Sequence, residues 1–231
     1  KKEQDKNQII LDNYFTMPSG EVEIRPESRF GINVSVVKYI PELTRAGFGW
    51  VRFENMKWEF YNPNPGDFRF DGTVGPWHVP MDDYFQTYQD ADLSILPYIF
   101  QTPKWASSKP DASSGNKRRF QAYPPTDNAY YGKAIFEAVA RYGSREVPAA
   151  ELESNDKKSG LNLINTYELW NEPNLNAESW GFFVGTLDEY YPLFRAGAES
   201  AKQADPNAIV TNGAGNYSAW CNRFYSYRGF R

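Results

Sequence analysis

The sequence predicts an α/β fold built on a parallel sheet. Three observations carry that prediction. Five short runs are mostly continuous in apolar residues rather than alternating, as strands covered on both faces are. Helical patterns separate them, giving the order β-α-β-α-β-α-β-α-β. The chain has 231 residues, 41% of them hydrophobic, enough to bury one substantial core.

Residues 1–29 precede the first run, and within them 9–11 and 21–24 are expected to form a small hairpin at one end of the sheet. The first strand is expected over 30–35 (FGINVS), followed by a helix over 36–46 that stops at Gly47, a residue suited to a C-terminal cap. The second strand spans 49–53 (GWVRF), and a weaker helical pattern covers 80–91. The third strand is 93–100 (LSILPYIF). A helix over 128–142 follows, with apolar residues at Ala134, Ile135, Ala138 and Val139 and a stop at Gly143. Polar residues 145–160 break both flanking patterns and read as a surface loop away from the active face. The fourth strand is 163–170 (LINTYELW). Thr186 and Glu189 form a capping-box pattern that opens a helix over 187–204. Pro192 inside it is expected to bend that helix or shift its start. The fifth strand is 208–212 (AIVTN).

Composition narrows the function classes. A net charge of −4 offers no support for nucleic-acid binding, which would want a basic face. The basic clusters Lys117-Arg118-Arg119 and Lys157-Lys158 read as solvated loops. No apolar run approaches the roughly 18 residues of a membrane span. The lone Cys221 excludes an internal disulfide and a thiolate cluster, and the lone His78 argues against a histidine metal site. The polar start Lys1-Lys2-Glu3-Gln4-Asp5 shows no signal peptide, as a processed secreted chain would also look.

Aromatic residues make up 17% of the chain. Such rings either fill a core or offer flat apolar faces to the C–H faces of sugars. Composition alone does not separate the two. Long connections follow the second, third and fourth strands, at 54–79, 101–127 and 171–186. Loops of that length are uncommon unless functional, and in a barrel they gather at the C-terminal face. They carry Trp58, Trp77, Trp105 and Trp180, which favours stacking against a substrate.

The most specific segment is Tyr167-Glu168-Leu169-Trp170-Asn171-Glu172-Pro173-Asn174. An apolar strand runs into Asn-Glu-Pro, and proline halts the strand and fixes the turn. Glu172 is thereby expected at the rim of the sheet. Strand alternation places Glu168, Trp170 and Glu172 on one side, with Leu169 and Asn171 on the other, until the turn breaks the pattern. Glycosidic cleavage needs a carboxylic acid that stays protonated to donate to the leaving oxygen. A carboxyl walled by aromatics is expected to have a raised pKa, because its charged form is disfavoured. The bland alternative is that Glu172 caps the following helix.

Trp-Asn-Glu-Pro-Asn at the end of the fourth strand resembles the acid/base motif of clan A glycoside hydrolases. The longer YELWNEPNLNAESW is most similar to glycoside hydrolase family 39, which includes β-xylosidases, iduronidases and exopolysaccharide endoglycosidases. FGINVS, AGFGWVRFENMKWEF, PGDFRFDG and LPYIFQTPKWA follow the order of the endo-acting relatives, so the resemblance covers roughly residues 30–215. It implies a (β/α)₈ TIM barrel, of which residues 30–231 supply about the first five βα units. It implies a retaining glycosidase acting on β-linked poly- or oligosaccharide, with no cofactor, no nucleic acid and no membrane. Glu172 would be the general acid/base and Asn171 would bind the substrate 2-hydroxyl. Arg52 would sit beside the nucleophile and keep it ionised. Read structurally, Arg52 is instead an interior ion-pair partner of Glu54 or Glu168. Trp58, Trp105, Trp170 and His78 would contact sugar, and a secreted, periplasmic or cell-surface setting is expected.

Retaining cleavage also requires a second carboxylate. In the clan it is a glutamate at the end of the seventh strand, and no glutamate follows Glu199 here. Five strands do not close a standard barrel. The nucleophile is therefore expected in a C-terminal half or a second chain that completes the barrel. The alternative is a sugar-binding barrel without activity. Glu168 is poorly placed as a substitute, lying four residues back along the strand and roughly 13 Å deeper than Glu172.

Overall fold

The computed structural model describes residues 28–70, 80–114 and 117–213. The expected N-terminal hairpin, Trp77, His78, Cys221 and the aromatic tail 217–231 lie outside the described residues.

Five strands form one parallel sheet in chain order: β1 (Gly31–Asn33), β2 (Trp50–Phe53), β3 (Ser94–Ile99), β4 (Thr166–Leu169) and β5 (Ile209–Asn212). Five α-helices accompany them: α1 (Ile40–Arg45), α2 (Trp58–Tyr61), α3 (Met81–Asp90), α4 (Asn128–Tyr142) and α5 (Leu187–Ala204). Every strand-to-strand passage is a crossover, and sequential strands are neighbours, the winding of part of a (β/α)₈ barrel.

The two faces of the sheet differ sharply. Val51, Phe53, Ile95, Ile99, Tyr167 and Leu169 face the helices and are fully buried. Large rings fill that layer. Phe85 packs edge-on against Phe53 and Tyr142, with centroids 5.0 and 4.8 Å away. Tyr131, Trp170, Phe183 and Tyr190 form a continuous edge-to-face chain. Among the described residues, most of the aromatic rings are thus core. The opposite face carries Asn33, Trp50, Arg52, Leu96, Tyr98, Glu168, Thr211 and Ile209; Tyr98 and Glu168 on it are buried, and the others are half-buried or exposed. Ile209 on it is 56% exposed. Among the described residues, β1 and β5 are edges with no outer partner.

Two helices match their expected bounds. Asp127 caps α4, its side chain accepting from the Ala129 N–H, and the helix stops at Gly143. Any Cβ at Gly143 would stand 2.6 Å from the Val139 carbonyl oxygen and 2.8 Å from an Asp205 carboxylate oxygen. Thr186 and Glu189 form the reciprocal capping box of α5, which runs through Pro192 with its start unshifted. The first helical stretch departs from expectation. A 3₁₀ turn at Val37–Tyr39 precedes a six-residue α1, and Gly47 follows at φ 78°.

Residues 145–160 do run along the surface, mostly exposed, with Val147, Leu152 and Ser154 tucked into the core. Arg141, itself buried, pins this segment by pairing with both Asp156 and Asp82. One loop reading is corrected, because Arg119 is not a solvated loop residue. It donates to the carbonyls of Glu178 and Gly181 and ties the loop after β3 to the loop after β4. Lys117–Arg118 pair antiparallel with Ser113–Ser114. The connection after β2 also leaves the strand ends. Phe70 stacks on Tyr61 at 5.1 Å and meets Tyr142 of α4 edge-on.

Candidate active site

The end of β4 sets the site. The ladder continues one residue past the strand, with the Trp170 N–H donating to the Ile99 carbonyl at 2.9 Å. Trp170 then adopts φ 75° and Glu172 φ 39°, a left-handed backbone that side chains other than glycine rarely take. Two such residues flank Asn171 at a strand end, the kind of strain that concentrates at functional sites. Gln101, at the matching end of β3, shares it with φ 69°.

That reversal corrects the expected facing. Alternation ends at Trp170, not after Glu172. The Trp170 ring turns to the helices, fully buried, with Nε1 donating to the Phe182 carbonyl at 2.9 Å. It has no face left for a sugar. Asn171 joins Glu168 on Arg52 instead.

Arg52, on β2, is the centre of a short polar chain on the open face. Its Nε and Nη2 donate to the two carboxylate oxygens of Glu168, each at 2.7 Å. Nη2 also donates to Asn171 Oδ1 at 2.7 Å. The guanidinium lies over the Tyr98 ring, 3.7 Å from its centroid. Partial burial works against the Arg52 charge, but the hydrogen bonds and negative charge of Glu168 outweigh it and raise its pKa. Burial, helped by the negative charge of Glu54, pushes the Tyr98 phenol up, so it stays protonated. Of the two ion-pair partners weighed for Arg52, Glu168 takes it. Glu54 is exposed, and its N–H donates to Ser35 Oγ.

Glu172 is half-buried, and its carboxyl carries no hydrogen bond or ion pair among the described residues. Its backbone carbonyl accepts from the Leu175 N–H, which closes the turn through Pro173. Asn171 is buried. Below the rim, a hollow of about 370 Å³ opens on the inner face, lined in part by Asn33, Trp50, Arg52 and Leu96.

The aromatic candidates divide. Trp58 is fully buried, with Nε1 donating to Asn62 Oδ1 at 3.0 Å and its ring edge-on to Trp105 and Tyr131. As it stands it cannot touch a substrate, which corrects its expected role. Its backbone N–H instead fastens the loop to the Phe100 carbonyl just past the end of β3. Trp105 is half-buried, anchored by Nε1 to the Asn62 carbonyl, and it keeps an accessible part. Trp180 is 59% exposed. Tyr98 was not among the expected site residues, and Glu168 was expected only as an ion-pair partner or a poorly placed substitute nucleophile. Their signal was modest: a polar head at inward positions of otherwise apolar strands.

No family model matches the chain. Over 138 residues, 56% of its length, it is 30% identical to a beta-xylosidase of Caldicellulosiruptor saccharolyticus, covering 24% of that protein. Its fold is similar to that of a family 39 glycoside hydrolase from the gut symbiont Bacteroides cellulosilyticus WH2, with a TM-score of 0.52 and 21% identity over 83% of this chain and 33% of that one. It is also similar to a glucosidase from Croceicoccus marinus, with a TM-score of 0.56 and 16% identity over 88% of this chain and 41% of that one. The chain thus spans about a quarter of the curated relative and a third or somewhat more of these structures. The likeness is to clan A glycoside hydrolases of the family 39 type, over part of their length, and the fold is part of their (β/α)₈ barrel.

Proposed function

We propose that this chain is the acid/base-bearing part of a retaining glycoside hydrolase that cleaves β-glycosidic bonds of a poly- or oligosaccharide. The observation that carries the reading is Glu172 itself. Its carboxyl stands at the rim end of β4 without a partner among the described residues, beside an asparagine locked in place by Arg52. A carboxyl held by a cap or an ion pair would be biased toward its charged form, which works against proton donation.

In the proposed reaction Glu172, protonated, donates to the glycosidic oxygen as the bond to the anomeric carbon breaks. A carboxylate about 5–5.5 Å away takes the anomeric carbon, and Glu172 then activates the water that releases the sugar. Glu168 does not fill that second role, because both its oxygens are held by Arg52 and it lies buried within β4. The nucleophile comes from βα units that cover the open inner face of the sheet. Asn171 holds the 2-hydroxyl, and Trp105 and Trp180 offer rings to the sugar chain. His78 is kept as a sugar contact on the resemblance alone. An extracytoplasmic setting agrees with a polymeric substrate.

Glu172→Gln in the full-length protein tests this. Turnover of substrates with poor leaving groups should fall by about 10²- to 10⁴-fold. A dinitrophenyl glycoside, whose leaving group needs no proton, should still form the glycosyl-enzyme. A sugar-binding protein without activity would bind the same oligosaccharide, hydrolyse nothing, and be indifferent to the change.

A further inference from the structure

The Asn171 carboxamide has an acceptor end and a donor end, and a flip of the amide exchanges them. Arg52 has only donors, so the atom it meets at 2.7 Å must be Oδ1. Nδ2 is left with both its N–H groups and has no protein partner among the described residues. Whatever meets Asn171 there must bring an acceptor oxygen. That outcome depends on where the Arg52 fork lies. Tyr98 supplies a surface beneath it, but a ring face leaves the guanidinium free to turn in its plane. Glu168 removes that freedom by taking two donors in parallel, the geometry that fixes a guanidinium most firmly. Arg52 and Glu168 come from strands that are not adjacent, since β3 lies between β2 and β4, and Asn171 lies two residues past β4. Glu168 is buried, so it is a support rather than a contact surface.

We infer that Glu168 is a positioning residue, acting through Arg52 to hold the Asn171 carboxamide with its Nδ2 donor turned to the sugar. The inference rests on the glycosidase reading for its consequence and on the hydrogen-bond chain for its geometry. Without the carboxylate, Arg52 loses its anchor and the Asn171 amide can flip, presenting an acceptor where a donor is needed. Hydrogen bonds at this position strengthen in the transition state, so the loss falls on kcat rather than KM.

The test is a double-mutant cycle on the full-length protein. Glu168→Gln keeps the volume but opposes an amide NH₂ to one arm of Arg52. It should lower kcat by about 10- to 100-fold with KM changed less than about threefold. In an Asn171→Ala background the same change should lower kcat by less than about twofold, because the group it positions is gone. Equal factors in both backgrounds would mean a merely structural role and overturn the inference. Should Glu168→Gln unfold the protein, Arg52→Lys, which cannot bridge both partners, serves in the same cycle. The Asn171 side-chain amide resonances give a readout independent of turnover: they should shift and broaden in Glu168→Gln, and an unmoved pair overturns the inference. If the unmodified protein cleaves no glycoside, the functional reading fails, while those resonances still decide whether Glu168 holds Asn171.

Discussion

Trp58 and Trp105 share a residue type, a place in the long connections that follow strands and an edge-to-face contact, yet the structure gives them different work. Trp58 has no accessible surface, and Asn62 satisfies its indole N–H. Trp58→Ala should therefore destabilise by about 3–5 kcal/mol in urea denaturation. Trp105→Ala should destabilise by no more than about half as much and weaken oligosaccharide binding roughly tenfold. Equal stability losses, with binding untouched in Trp105→Ala, would remove Trp105 from the site. At this scale the sequence was only partly legible. The Asn-Glu-Pro turn and the pairing options of Arg52 could be read from it. The inward swing of Asn171 could not, because it follows from a left-handed backbone at Trp170, a residue type that gives no warning of one. Nor does the sequence show which tryptophan in a long loop is sealed over.

Among the elements, the helices were most legible where capping and periodicity agree. α4 and α5 carry both signals and keep their expected bounds, whereas the first helix, with Pro41 near its start and no side-chain cap, shortens to a turn and α1. What joins α4 to α5 at one end was not legible, because it depends on one aspartate just past α5. Buried Asp205 accepts from the Ser144 N–H and hydroxyl and from the Asn207 N–H. Burial alone would raise its pKa, but these hydrogen bonds outweigh it and leave the carboxyl below its usual value. A depressed folded-state pKa means that the stabilisation is fully present above the unfolded value, about 4, and is lost as pH falls through the folded value. Asp205→Asn should accordingly cost about 2 kcal/mol at pH 7 and progressively less as pH falls below about 4. Thermal melts of both proteins across that range check it. A melting difference that did not shrink toward acid would show that Asp205 acts by shape rather than charge.

Across the whole molecule, the contrast between the two sheet faces says more than the strand count. The helix-side face is fully buried along β2, β3 and β4, yet the inner face leaves Ile209 more than half exposed and seats an ion pair against an open hollow. The parallel order and crossovers could be read from unbroken apolar runs, but the difference between the faces could not, because continuous runs predict burial on both sides. Ladder edges at β1 and β5 that no other described residue pairs, beside exposed apolar side chains, are a template for pairing with another chain. Produced alone, this 231-residue chain should therefore self-associate, with a sedimentation coefficient that rises with concentration. Ile209→Lys places a charge on both the open face and the β5 edge, and it should shift that equilibrium toward the monomer without lowering helix content. On the proposed function, a longer chain whose further βα units cover the inner face should sediment independently of concentration, and there Ile209→Lys should be destabilising because it buries the charge. A monodisperse monomer from the short chain, indifferent to Ile209→Lys, would mean that the open face tolerates water and that no further strands are needed to cover it.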